Sequence, residues 1–187
     1  MLLDEQIVAI EQVFGDAGIP HAFGGAQALA YYGPIRATHD IDLNVFVSAD
    51  HGKRVLEALG TLGAEIDNPG LLVLIKRDEQ VRVFWDGTPI DLYFSYDPLH
   101  VSSMERRRLV DFYGDSIHVL SAEDLMVYKA TFNRPKDWAD IAGMIFASPT
   151  PLDFGYVRNW LERIDDEERQ RLDRLERLIE SGGADLS

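Results

Sequence analysis

The stretch Asp40-Ile41-Asp42-Leu43-Asn44-Val45-Phe46-Val47 leaves this chain few choices of fold. Ile41, Leu43, Val45 and Val47 fall on one side of an extended backbone, while Asp40, Asp42 and Asn44 fall on the other. Such a segment forms a strand with one face on a core. The opposite face then carries two carboxylates, two residues apart.

Apolar spacing places the remaining elements around this strand. Leu3, Ile7, Ile10 and Phe14 predict a helix closed by Gly15 and Gly18, and Pro20 to Phe23 is a short extended piece entering Gly24-Gly25. A second helix is expected over Ala26–Tyr32, stopped by Gly33-Pro34, and a third over Ala49–Leu62. Leu71–Ile75, Gln80–Trp85 and Pro89–Tyr93 are expected strands, the last two joined by the hairpin dipeptide Asp86-Gly87, and Ser116–Leu120 is one more.

From Ser121, an N-cap residue, the pattern is helical: one helix carries Leu125, Tyr128, Lys129 and Phe132, one starts at Pro135, and a charged stretch covers Tyr156–Glu180. The expected fold class is α/β (α+β), a small mixed twisted sheet of about four to five strands flanked by helices, with a helical C-terminal region. The expected division is a core over 1–120, a helical region packed on it over 121–181, and a flexible tail over 182–187.

The balance of 46% hydrophobic and 27% charged residues is that of a folded globular chain. With 32 Asp and Glu against 18 Lys and Arg, the net charge of −14 argues against an extended nucleic-acid-coating surface. The absence of cysteine removes disulfides, thiolate metal sites and a Cys nucleophile. The first residues lack a basic signal-peptide region, and no apolar run approaches the ~20 residues of a membrane span, so a soluble cytoplasmic protein with no membrane partner is expected. His21, His39, His51, His100 and His118 show no metal-ligand spacing.

Asp40 and Asp42 repel each other unless a cation or protons lie between them, and Mg²⁺ held by carboxylates and phosphate oxygens meets that need. A solvent-facing acidic strand end is the plain alternative. Gly24-Gly25 either lets a phosphate approach the backbone or simply makes a tight turn. Asp91 repeats the polar-out arrangement on a later strand, with Ile90, Leu92 and Phe94 opposite. Arg36 and Thr38 reach phosphate, position the metal strand, or lie in a solvated loop. Lys129 lies on the apolar stripe of its helix and either snorkels past the core edge or points into a polar cleft. Lys136 and Asp140 have the spacing of an exposed i,i+4 pair. Arg106-Arg107-Arg108 fits a charged helix face and is also the evident candidate for an RNA contact.

Phe23-Gly24-Gly25-Ala26-Gln27-Ala28-Leu29-Ala30-Tyr31-Tyr32-Gly33, followed by Arg36-Ala37-Thr38-His39-Asp40-Ile41-Asp42-Leu43 and a later single Asp91, resembles the nucleotidyltransferase superfamily of DNA polymerase β type. Among its branches the chain is most similar to the AbiEii and MenT class of toxin nucleotidyltransferases. Leu120–Lys129 and Arg134–Ile141 resemble later motifs of that branch, so the likeness covers roughly residues 20–145.

The resemblance implies an enzyme that moves NMP from an NTP, such as ATP, to an acceptor hydroxyl. Gly24 and Gly25 would hold the triphosphate, Asp40, Asp42 and Asp91 would bind Mg²⁺ (or Mn²⁺), and Lys129 would contact the nucleotide. Asp137 and Asp140 compete for the acidic position near that lysine. Ala26 departs from the family, which usually has Ser at or after the second glycine. The implied role is the toxin of a toxin–antitoxin or abortive-infection system, with tRNA or protein as acceptor and an antitoxin as partner. The alternatives are a small-molecule, aminoglycoside-type nucleotidyltransferase and a non-catalytic nucleotide-binding module, which the departure at Ala26 leaves open.

Overall fold

The computed structural model describes residues 1–164 and 170–184. Helix α1 (Leu3–Asp16) is followed by β1 (His21–Phe23), α2 (Gly25–Leu29), β2 (Ile41–Val45), a 3₁₀ turn over Ala49–His51, α3 (Gly52–Thr61) and α4 (Gly70–Asp78). Then come β3 (Gln80–Trp85), β4 (Thr88–Phe94), α5 (Pro98–Arg106), β5 (Arg108–Phe112), β6 (Asp115–Val119), α6 (Ala122–Phe132), α7 (Pro135–Ala147), α8 (Phe154–Ile164) and α9 (Gln170–Glu180). The chain divides into two compact units, Met1–Gln27 with Ala37–Leu120, and Ala28–Arg36 with Ser121–Ser187.

The first unit is built on a mixed six-stranded sheet of order β3-β4-β2-β1-β6-β5. β2 and β4 run parallel, pairing Ile41 with Ile90, Leu43 with Leu92 and Val45 with Phe94. All six of these side chains are buried, as are Val81 and Val83 on β3, which pair with Leu92 and Ile90. Paired residues share a face, so the alternation in each strand separates one apolar face from one polar face. α1 contacts β6, and α4 contacts β3.

The Asp86-Gly87 hairpin forms as expected, with both residues at positive φ (50° and 78°), the geometry of a type I′ turn. A second hairpin, β5–β6, turns through Tyr113 (φ 55°) and Gly114 (φ 92°). It brings the sheet to six strands where four or five were expected. Arg106 therefore ends a helix, Arg107 follows it and Arg108 begins a strand, so the three arginines do not line a helix face.

Leu71–Ile75 is helical, not extended. Leu71 and Ile75, one turn apart, are buried while Val73 is exposed, and Asn68 Oδ1 accepts from Gly70 N at 2.9 Å where the helix begins. α2 is shorter than expected and starts at Gly25. In the second unit α6 contacts α7 and α8, and α9 contacts α7 and α8. The expected 156–180 stretch contains two helices, and its residues 165–169, like tail residues 185–187, lie outside the described residues. Among the described residues no helix is long and apolar enough to cross a membrane.

Glu11 on α1 ties the helix to two strands. It accepts from His118 backbone N at 2.9 Å, and its carboxylate oxygens contact His21 Nε2 at 3.0 Å and His118 Nδ1 at 2.6 Å. Burial alone would raise its pKa, but these partners outweigh burial and hold it at about 2. A carboxyl lowered in this way stabilises the fold above its unfolded value and loses that contribution as pH falls through about 2. Glu11→Gln should therefore lower unfolding free energy by on the order of 2 kcal/mol near pH 5.5 in chelator-containing buffer. The difference from wild type should shrink in urea titrations carried down toward pH 2.

Candidate functional site

The polar face of the first unit carries one row of residues across four strands. Gly24, at the end of β1, donates its N–H to the Asp42 carbonyl at 2.8 Å. Asp42 pairs with Asp91 on β4, and Asp91 pairs with Arg82 on β3. Period-two alternation, which buries Ile41 and Leu43, is what turns these polar side chains to the same side.

Gly25 is shaped around Asp42. Its φ of +48° disfavours any side chain, and a Cβ placed there would lie 2.6 Å from Asp42 Cγ and collide with the carboxylate oxygen. A Cβ on Gly24 would meet Asn44 Nδ2 at 2.9 Å. Gly25 therefore gives Asp42 its space, and Gly24 gives Asn44 its own.

Asp40 is held from two directions. The Thr38 hydroxyl donates to its carboxylate, and Gln27 Nε2 donates to its carbonyl at 2.9 Å. Gln27 Oε1 is buried without a hydrogen-bond partner. Gln27 was not legible as a site residue, since an amide in an Ala-rich helix has no distinctive spacing.

Arg82 was not singled out either. Its Nε and Nη2 reach the two Asp91 oxygens at 2.7 and 2.6 Å, a bidentate pair that, with a smaller contribution from Asp40, raises the guanidinium pKa. The row thus brings Asp42 beside Asp91 without gathering three carboxylates into a ready cage. Among the described residues, the one group of three His, Cys, Asp or Glu with ligand atoms within 4.8 Å of one another is Glu11, His21 and His118.

The donor set Asp40, Asp42 and Asp91 still fits a hard divalent ion, being all carboxylate oxygen beside a glycine turn without Cβ atoms. For Asp91 to join, Arg82 must give up at least one of its two bonds.

In the second unit Lys129, 5% exposed, donates to Asp140 Oδ2 at 2.6 Å, with Asp137 Oδ1 at 4.0 Å. Arg36 Nε lies 3.5 Å from Asp140 Oδ1. Asp137 instead caps α7, accepting from Arg134 N at 3.3 Å and Arg134 Nε at 2.5 Å. Asp140 is therefore the acid paired with Lys129, and its partners are Lys129 and Arg36 where the sequence spacing suggested Lys136.

No protein-family model matches the chain, and no curated protein matches it in sequence. It is similar to the solution structure of the antibiotic-resistance factor ANT(2'')-Ia, with a TM-score of 0.52 and 14% identity over 96% of this chain and 92% of that one. It is also similar to the crystal structure of ANT(2'')-Ia in complex with adenylyl-2''-tobramycin, with a TM-score of 0.52 and 12% identity over 96% and 95% of the two chains. An antigenic nucleotidyltransferase-like protein from Paracoccidioides brasiliensis aligns over 93% and 92% at 18% identity, with a TM-score of 0.48. The likeness to ANT(2'')-Ia establishes a nucleotidyltransferase fold for this chain.

Two outcomes follow from the row. Gly25→Ala should cost on the order of 1–3 kcal/mol in urea unfolding, because it meets both the positive φ and the Asp42 carboxylate. Arg82→Ala leaves Asp91 beside Asp42 without its cation, so millimolar Mg²⁺ or Mn²⁺ should raise its unfolding temperature more than that of wild type. A difference of about 1 kcal/mol would appear as about 2–4 °C in a thermal scan. An equal shift in the two proteins would contradict a cation site at this row.

Proposed function

We propose that the chain is a divalent-metal-dependent nucleotidyltransferase that moves NMP from an NTP to an acceptor hydroxyl. The observation that carries this reading is the placement of Asp42 beside Asp91 on paired strands, next to a glycine turn shaped around Asp42. The ANT(2'')-Ia-like fold and the resemblance of the motifs support it.

Asp40 and Asp42 would hold Mg²⁺ or Mn²⁺ together with phosphate oxygens, and Asp91 would join on release from Arg82. A bound ion of this kind neutralises phosphate charge and acidifies a nearby hydroxyl. Thr38 keeps the Asp40 carboxylate oriented, while Gly24 and Gly25 leave the backbone open to the triphosphate. The acceptor oxygen bonds to the α-phosphorus as the bond to pyrophosphate breaks, and the hydroxyl proton passes to Asp91 or water. The motifs assign Lys129 and Asp140 to the nucleotide as well, and a phosphate oxygen would compete with Asp140 for the Lys129 ammonium.

The motif resemblance favours a toxin-type acceptor, tRNA or protein, with an antitoxin as partner. A small-molecule acceptor is the second reading, supported by the fold shared with ANT(2'')-Ia, one structure of which contains adenylyl-2''-tobramycin. A net charge of −14 suits a polycationic acceptor.

The test offers each α-labelled NTP with Mg²⁺ to total tRNA, lysate protein, or small hydroxyl compounds including aminoglycosides. Label should appear in one acceptor class, and Asp42→Ala should reduce it by a factor on the order of 10²–10³ or more. NTP binding without transfer to any acceptor would indicate a binding module. Failure to bind Mg-NTP, with Asp42→Ala indistinguishable from wild type, would overturn the reading.

A further inference from the structure

Glu11, His21 and His118 belong to α1, β1 and β6, and more than a hundred positions separate the first from the last. His21 is 3% exposed, and its Nδ1 lies 2.9 Å from the Ile19 carbonyl oxygen. That contact requires an N–H, so Nδ1 carries a proton and a neutral ring leaves Nε2 with a bare lone pair. Nε2 faces Glu11 Oε2 at 3.0 Å, and this oxygen already accepts the backbone N–H of His118. Two acceptors at that distance need a cation between them, either a further proton or a metal ion. Anchoring Nδ1–H on a backbone carbonyl is also how proteins orient an imidazole that binds metal through Nε2.

We propose that these three residues form a second metal site, specific for a borderline divalent ion such as Zn²⁺. His21 Nε2, a Glu11 carboxylate oxygen and His118 Nδ1 are its ligands, and water completes a tetrahedron. Two imidazoles and a carboxylate favour Zn²⁺ or Co²⁺ over the Mg²⁺ suited to the aspartate row. The ligand atoms lie within 4.8 Å of one another. Tetrahedral bonds of about 2.1 Å would set neighbouring ligand atoms about 3.4 Å apart, so the two histidine–carboxylate contacts, made to different Glu11 oxygens, would open by less than about 1 Å while the widest separation, up to 4.8 Å, would close.

His118, with its side chain 31% exposed, supplies that movement and the entry path, whereas His21 is fixed at 4%. On binding, the His118 proton moves from Nδ1 to Nε2, and any extra proton on His21 is released. The ion would clasp α1 to two strands of the sheet. This proposal uses none of the aspartates and stands apart from nucleotidyl transfer.

The full chain, freed of metal with a chelator, is titrated with Zn²⁺ by calorimetry and with Co²⁺ by visible absorbance. Asp42→Ala serves as control for the aspartate row, and circular dichroism confirms that each variant folds. Wild type and Asp42→Ala should bind one Zn²⁺ per chain at this site, and His118→Ala should weaken it by roughly tenfold or more. The Co²⁺ band of a low-symmetry nitrogen and oxygen site should appear in wild type and vanish in His118→Ala. Zn²⁺ should raise the unfolding temperature of wild type and not that of His118→Ala. Equal Zn²⁺ affinity in wild type and His118→Ala, or no binding by folded wild type, would overturn the proposal.

Discussion

Two like charges side by side on parallel strands are the constraint around which the first unit is arranged. Asp42 and Asp91 occupy paired positions, and strands in a sheet are only about 4.8 Å apart. Their opposite neighbours Ile41, Leu43, Ile90 and Leu92 are buried, so neither carboxylate can turn away without carrying apolar residues into water. The charge must be met where it stands. Arg82 meets the charge of Asp91, extending the row by one strand and binding it with both arms. Asp42 receives space from Gly25, where any Cβ would collide with its carboxylate. Under the proposed function, a cation brought with a phosphate would add a further counter-charge to this acidic row.

The parts of this arrangement that depend on local pattern were legible in the sequence. Alternation over residues 40–47 and 89–94 gave the strands and the side to which each aspartate points, and Asp86-Gly87 gave the hairpin. The pairing of β2 with β4 was not legible, because a parallel contact spans a long crossover and leaves no turn signal between its strands. Arg82 resembled an ordinary exposed strand position, and its importance comes only from the register that sets it opposite Asp91. Leu71–Ile75 misled for another reason. A short apolar run has no periodicity, and the burial of Leu71 and Ile75 alone identifies it as helix. The histidines show the same limit, since ligand spacing along the chain cannot reveal a cluster assembled from a helix and two neighbouring strands that lie far apart in sequence.

In the second unit, acidic residues stabilise helix starts and an ion pair. Ser121 and Asp124 form the beginning of α6, and the Tyr156 hydroxyl donates to Asp124 at 2.5 Å. Glu123 accepts from Asp153 N at 3.1 Å, and Asp137 caps α7. Carboxylates in a first helical turn are favoured by the dipole and by unpaired N–H groups, so their burial has a local cause. Lys129 and Asp140 are a different case. Burial desolvates both charges, and a pair of this kind contributes little net stability in general. Under the proposed function, a phosphate oxygen exchanging with Asp140 would give this buried ammonium a second partner.

The same accounting bears on the acceptor of the proposed transfer. A net charge of −14 spread over the surface repels a long polyanion, and only a dense basic patch would offset it. The densest basic run does not supply one. Arg107 spends Nη1 on the Met104 carbonyl at 2.5 Å, Arg106 ends α5, and Arg108 turns into an edge strand. Neutralising several phosphates in register requires cations spaced along one surface, and these three leave the backbone in different structural settings. A tRNA would therefore have to dock through few phosphates and be selected by its hydroxyl-bearing end. A compact cationic acceptor would need no such restriction, because the acidity that opposes RNA would draw it in.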